Sequence, residues 1–351
     1  MSGYDVLVVG AGPAGSSAAM EAARAGCRVL VVERKEHIGY PVQCAEYVPR
    51  LLMAECGISS DPVIQGVDSM HTHLSDGSMV VTHSPGLMVD RARFDNELAS
   101  AARDAGAEVL CSTTCVSRTG KSVLLAGSGG DRTVRPSIII GADGPRSTVG
   151  MWMGSTNMEF VVGAQYTLPL TEPLENTEVY FRHEFHGGYG WLFPKGCMAN
   201  VGIGVRLGML PPPGRLDMLL KAFADSMEKA GKVRNTPISA TGGLIPVGGM
   251  LSLVKDNMVL VGDAGGLADA MTGGGIPQAV ICGRMAGKAA ADAVQKQDAG
   301  ILGGYEIECK EMYGPSLQRA VEKRRLLESC WEELDTIVKK CWVAFGEYYD
   351  E

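Results

Sequence analysis

The chain has no run of eighteen or more apolar residues, so none of its segments is expected to cross a membrane. Its start does not pair a charged segment with an apolar one and a cleavage site, so export is not expected. Positive charge is scarce. Against 40 Asp and Glu stand 32 Lys and Arg, a formal charge of −8, which excludes the broad basic surface that nucleic-acid phosphates require. The ten cysteines lack paired metal spacing: Cys111 and Cys115 are the nearest two, and no second pair completes a zinc site. Reduced thiols and no metal are expected. His71 and His73 would share one strand face but have no further ligands beside them.

What is present starts with a buried-strand pattern, Tyr4 to Val9, running into Gly10-Ala11-Gly12-Pro13-Ala14-Gly15. A small-residue helix, Ser16 to Ala25, and a second strand, Cys27 to Val32, follow and end at Glu33. Gly10 permits the tight turn, Gly12 lets backbone approach a pyrophosphate, and Gly15 lets helix and strand pack closely. The helix start offers free N–H groups and a positive dipole end to phosphates. Glu33, eighteen residues past Gly15, can accept both hydroxyls of an adenosine ribose, which favours FAD or NAD over NADP.

Two later strands choose between them. Ser137 to Ile140 leads into Gly141-Ala142-Asp143-Gly144, and Met258 to Val261 leads into Gly262-Asp263-Ala264-Gly265. An aspartate at the end of a buried strand can bind the ribityl polyol that FAD has and NAD lacks. Either loop alone could equally be a turn whose aspartate caps a helix.

The order of fingerprint, GADG loop and GDAG loop resembles the flavin hydroxylase superfamily. Finer motifs resemble its geranylgeranyl reductase branch: Gly39 to Glu46, Val89 to Asp95, Gly188 to Lys195, Asn200 to Gly204, and Thr272 to Ile276. The resemblance covers residues 1 to about 300. It implies an FAD enzyme that saturates carbon–carbon double bonds of long isoprenoid chains. It also implies that Pro41 to Glu46 passes close to flavin and substrate, with Cys44 implicated in activity. Arg34, Cys44, Ala45, Arg91 and Val116 join Gly10, Gly12, Pro13, Ala14, Gly15, Glu33, Asp143, Gly144, Gly262, Asp263, Gly274, Gly275 and Ile276 as expected cofactor contacts. Beyond Gly300 the chain is shorter than larger members, implying a more open tunnel or a different ligand.

The fold expected is α/β, a Rossmann-like FAD-binding domain with an inserted antiparallel β-sheet substrate domain and a short helical C-terminus. Residues 1–150 and 251–300 would form the first, 151–250 the second and 301–351 the third. Met158, Phe160, Tyr180, Trp191 and Phe193 are candidates for an apolar wall, with core packing as the alternative. Reduced flavin would deliver hydride to one alkene carbon, and Cys44 is the first candidate for the proton. Glu46 and Tyr189 are weaker ones, and Trp191 would help place the substrate. Gly273 to Gly275 would let backbone approach the flavin ring ahead of a helix start.

No second fingerprint supplies a pyridine-nucleotide domain, so ferredoxin or a transiently docked NAD(P)H is the expected electron donor. The expected location is cytoplasmic, at the inner face of the cell membrane. Two alternatives stay open: a flavin monooxygenase or halogenase, and an FAD electron-transfer protein whose stripe Trp331, Leu334, Ile337, Val338 and Cys341 docks a partner or membrane, core packing being the other use of that stripe.

Overall fold

The computed structural model describes residues 3–127, 129–209 and 215–350. The strands Val6–Val9 and Val29–Val32 both read VLVV and are buried throughout. Such unbroken apolar runs mark a parallel sheet covered on both faces. They lie in a six-stranded sheet whose order is Val254–Lys255, Met258–Leu260, Ile138–Gly141, Val6–Val9, Val29–Val32 and Glu108–Leu110. All neighbouring pairs are parallel except the first. Val29–Val32 is added on one side of Val6–Val9 and Ile138–Gly141 on the other, so the sheet has its switch point there. The loops leaving the carboxyl ends of four adjacent strands therefore converge on one crevice.

Helix Pro13–Arg24 covers this sheet and packs against helix Ile276–Lys296. A Cβ on Gly283 would lie 2.4 Å from the Ala14 carbonyl oxygen, and one on Gly287 2.3 Å from that of Ala18. The two backbones touch because these positions carry no side chain. This contact was not foreseen from sequence.

A second sheet has eight strands, in the order Ser239–Pro246, Phe160–Pro169, Met198–Arg206, Gly190–Lys195, Asn176–Tyr180, Val63–His73, Met79–Val89 and Tyr47–Pro49. It is antiparallel apart from the parallel pair Asn176–Tyr180 and Val63–His73. Three of its strands come from residues 47–89, outside the segment 151–250 in which the sheet was expected. One face carries Leu192, Val201 and Ile203 and is covered by Leu220, Phe223, Ala224 and Met227 of helix Arg215–Lys229. The other face turns toward the loops of the first sheet and the C-terminal helices.

The C-terminal segment is helical, with interruptions. It forms helices Leu302–Ser329 and Leu334–Cys341, with short 3₁₀ turns at Trp331–Glu333 and Gly346–Tyr348. The stripe Trp331, Leu334, Ile337, Val338 and Cys341 is buried, packed with Val161, Val179, Phe181 and Met271. It is core, and those five side chains are not exposed to dock a partner.

Candidate functional site

Gly12 is the N-cap of helix Pro13–Arg24, Pro13 opens its first turn, and no side chain caps this end. The first-turn donors of a helix have no acceptor within it, so Ala14 and Gly15 offer their amides outward. Gly10 has φ +101°, and a Cβ there would sit 2.3 Å from the Ala142 carbonyl oxygen of the GADG loop. At Gly12 nothing lies within 4 Å of such a Cβ. Gly10 thus serves packing between two loops, whereas Gly12 faces open space beside the free amides of the helix start.

Glu33 leans over the same loop. Its Oε2 accepts from the Ala11 amide at 2.9 Å and its Oε1 from the Lys35 amide at 3.0 Å, which orients both oxygens and leaves lone pairs for ribose hydroxyls. Arg34 beside it is exposed. The Thr113 amide donates to the Glu33 carbonyl at 2.9 Å, so the strand Thr113–Thr119 starts at this edge. Val116 is 48 % exposed at the irregular step of that strand.

The two aspartates differ. Asp143 accepts from the Ser147 hydroxyl at 2.5 Å and from the Thr148 amide at 2.6 Å. Its carboxylate closes the start of helix Thr148–Met153, the capping alternative, because that helix begins only five residues later and its free amides lie within reach. Gly144 next to it has φ +82° and open space at its Cβ. Asp263 instead finds no side-chain hydrogen bond among the described residues; burial pushes its carboxyl up to about 6, against the pull of Arg91. A folded chain that holds this proton more tightly than the unfolded one loses stability as pH rises. From an ordinary value of 3.8 to about 6, the cost is at most about 3 kcal/mol. In flavin-free protein, the stability gained by Asp263→Asn is expected to grow from pH 4 to about pH 6 and then level off. Chemical denaturation of variant and parent across pH measures it, and a difference flat in pH would contradict a buried, unpartnered carboxyl.

The loop Thr272–Ile276 follows closely. Asp269 organises it, its Oδ1 accepting from the amides of Met271 at 2.9 Å and Thr272 at 2.7 Å. Gly275 is the N-cap of helix Ile276–Lys296, with Pro277 in its first turn, and a Cβ on Gly275 would lie 3.3 Å from Oδ1 of Asp263. The exposed Gly274, Gly275 and the Asp263 carboxylate therefore share one corner. The Tyr189 hydroxyl donates to the Thr272 carbonyl. Burial, reinforced by Asp269, holds its phenol well above the usual range, so it stays a donor.

Residues 43–46 are pinned onto the second sheet. The Gln43 side chain donates to the Gly242 carbonyl, Gln165 Nε2 to that of Cys44 at 3.2 Å, and Asn200 Nδ2 to that of Ala45 at 3.3 Å. The Trp191 indole N–H in turn donates to Gln165 Oε1 at 3.0 Å. Glu46 accepts from Lys195 Nζ at 2.7 Å, Asn200 Nδ2 at 2.8 Å and the Arg91 amide at 2.9 Å. Arg91 pairs with Asp95 at 3.0 and 3.1 Å. Burial alone would lower the basicity of its guanidinium, but Asp95 and the Cys44 thiol beside it raise it overall.

Trp191 and Phe193 share a strand face, as their spacing predicts. The indole lies over Gly202, where a Cβ would be 2.3 Å from its Cζ2, and Phe193 meets Tyr47 edge-on at 6.3 Å. Tyr189 bridges to Trp191 at 6.2 Å and to Trp342 of the C-terminal segment at 5.1 Å. Two other wall candidates lie elsewhere. Tyr180 pairs with Gly190 rather than Trp191, so it points to the opposite face and packs on Phe223 at 5.4 Å. Met158 precedes its strand and is 82 % exposed.

Comparison with known proteins bears directly on this arrangement. An FAD binding domain matches residues 3–162 and a geranylgeranyl reductase catalytic domain residues 160–245. A digeranylgeranylglycerophospholipid reductase of Methanocella arvoryzae is 36% identical over 341 residues, 91% of this chain and 86% of that protein. The chain belongs to the geranylgeranyl reductase family. It is an FAD-dependent oxidoreductase. The Methanocaldococcus jannaschii reductase of the same name is 33% identical over 99% of this chain and 92% of its own. A geranylgeranyl bacteriochlorophyll reductase-like structure from Thermoplasma acidophilum superposes with a TM-score of 0.89 at 27% identity, covering 99% of this chain and 93% of that one.

The likeness to this reductase family therefore runs through the C-terminal helices, beyond the first 300 residues to which the motifs are confined. The residues around the cleft fit FAD. The open approach at Gly12, the oriented Glu33 and the unpartnered Asp263 each offer what a dinucleotide needs. Sequence inspection missed Gln165, Asp269 and Arg324, and named Asn200 only as part of a motif, without a role. Asn200 and Gln165 had a signal: each is a polar residue at 0 % and 5 % exposure respectively, set in an otherwise apolar or small-residue run. A buried polar side chain of this kind must have a partner.

Proposed function

We propose that this reductase saturates carbon–carbon double bonds in the isoprenoid chains of a polar lipid. The observation that carries the reading is the link of Trp191 through Gln165 to the Cys44 loop, on a strand face that also carries Phe193 against Tyr47. Two relatives are named for a digeranylgeranyl glycerophospholipid, which makes a lipid with two such chains the first substrate to test.

Gly12, Ala14 and Gly15 would hold the pyrophosphate, Glu33 the ribose, Asp263 and Gly262 the polyol, and Gly274 to Ile276 the ring. Arg91 would lie along the cofactor, and Asp143 would act through the helix it caps. FAD, once bound and reduced, supplies the hydride equivalent. The protein orients the alkene, keeps water out and holds a proton. An unactivated alkene gives no carbonyl to polarise, so contact along the apolar wall supplies the orientation. Cys44 Sγ would hold the proton for the second carbon. Tyr189, its hydroxyl committed to the Thr272 carbonyl, would place the flavin-facing loop. With one nucleotide fingerprint in the chain, electrons would come from a separate donor, ferredoxin or docked NAD(P)H. The protein would work at the inner face of the cell membrane; among the described residues no helix is long and apolar enough to cross one.

Residues 1–46, 90–150 and 251–300 would act as the cofactor unit and 47–89 with 151–250, which share the second sheet, as the substrate unit, with the C-terminal helices closing the wall. Dithionite-reduced protein incubated without oxygen with a geranylgeranyl-chain glycerophospholipid is expected to give products heavier by two hydrogens per bond. Cys44→Ala should slow their formation by about a hundredfold or more. Lipid of unchanged mass would overturn the assignment, and peroxide release on admitting oxygen would favour a monooxygenase.

A further inference from the structure

We propose that buried Glu46 and half-buried Lys195 form a pin that positions Cys44 and Arg91 at the FAD cleft. Glu46 is 1% exposed and has φ 72°, a left-handed conformation that a non-glycine residue keeps only when its surroundings impose it. This backbone turn directs the Glu46 amide to Cys44 Sγ, 3.2 Å away. The carboxylate that holds it has three donors. It takes Lys195 Nζ at 2.7 Å and Asn200 Nδ2 at 2.8 Å from the sheet, and the Arg91 amide at 2.9 Å from the start of helix Arg91–Asp104. A carboxylate with three donors, one of them a cation, is an anchor.

Lys195 ends the strand Gly190–Lys195, on the face that also carries Trp191 and Phe193. One residue pair thus ties the apolar wall, the thiol loop and the Arg91 helix together. Glu46 and Lys195 are positioning residues, acting through Cys44. The inference rests on the reading of Cys44 as a working thiol of the reductase.

The test follows alkylation of FAD-loaded, full-length protein by iodoacetamide, read peptide by peptide. Cys197, which is exposed, serves as the internal reference, and buried Cys56 reports unfolding. In Lys195→Met and Glu46→Gln, Cys44 is expected to react about tenfold faster than in the parent, because a broken buried pair frees the loop. Lys195→Arg should restore a near-parent rate, with Cys197 unchanged throughout. Cys44 rates within about twofold of the parent in both disruptive variants, with flavin retained, would overturn the pin. If Lys195→Met unfolds, shown by labelling of Cys56, the Glu46→Gln rate decides between the same two outcomes. Labelling needs no lipid, so failure of the reductase assignment leaves its result standing. Where lipid is turned over, Lys195→Met should lower kcat while leaving KM near the parent value.

Discussion

Gly10→Ala is expected to produce protein without flavin and with markedly lower stability, whereas Gly12→Val produces stable protein without flavin. The contrast follows from what each new side chain would meet. At Gly10 the backbone has φ +101° and a Cβ would press to 2.3 Å from the Ala142 carbonyl oxygen, so the turn and the neighbouring GADG loop must both shift. Strain at a positive φ and overpacking each cost a few kcal/mol, and about 3 kcal/mol in total is the expected loss. At Gly12 nothing lies within 4 Å of a new Cβ, so the side chain enters open space and obstructs the pyrophosphate rather than the fold. Denaturant midpoints and the flavin content of purified protein separate the two. Equal destabilisation by both substitutions would contradict the assignment of Gly12 to the ligand.

Arg324→Met should destabilise the fold by about 3 kcal/mol or more and weaken FAD retention with it. Arg324 is 5 % exposed on helix Leu302–Ser329. It donates to the Ala270 carbonyl at 2.6 Å, to that of Gly187, and to Glu328 at 2.8 Å. Methionine fills similar space but leaves two carbonyls and a carboxylate without that donor, and unpaired buried acceptors are costly. Ala270 leads directly into Thr272–Ile276, so the lost contact loosens the corner built around Asp263. A loss below about 1 kcal/mol would show that water or neighbouring groups replace the guanidinium.

The nucleotide unit was legible in the sequence because everything it needs is local. Strand, glycine turn, helix and acid fall within Tyr4 to Glu33, and each position is dictated by backbone conformation or by the ligand. The two later aspartates looked alike, both after a buried strand and beside glycines. What separates them is the helix Thr148–Met153, whose amides occupy Asp143, while the start of helix Ile276–Lys296 comes near Asp263 without, among the described residues, donating to it. Tyr180 was grouped with Trp191 because both lie in strands of the same sheet. Which face each takes depends on the pairing of Val179 with Trp191, a register that the turn between the strands does not announce. Arg324, and the contact of Gly283 and Gly287 with helix Pro13–Arg24, join residues far apart in sequence, so no local pattern could reveal them. The amphipathic tail was read as an apolar stripe suited either to core packing or to docking, and choosing the core required knowing which surface lay opposite.

The most direct test of the account is a single anaerobic mixing experiment. Protein carrying reduced FAD is combined with a geranylgeranyl-chain lipid, and the flavin absorbance is followed with no oxygen present. Return of the oxidised spectrum, in step with loss of lipid double bonds, is the predicted result. A flavin that stays reduced until oxygen is admitted, with the lipid unchanged, would contradict it.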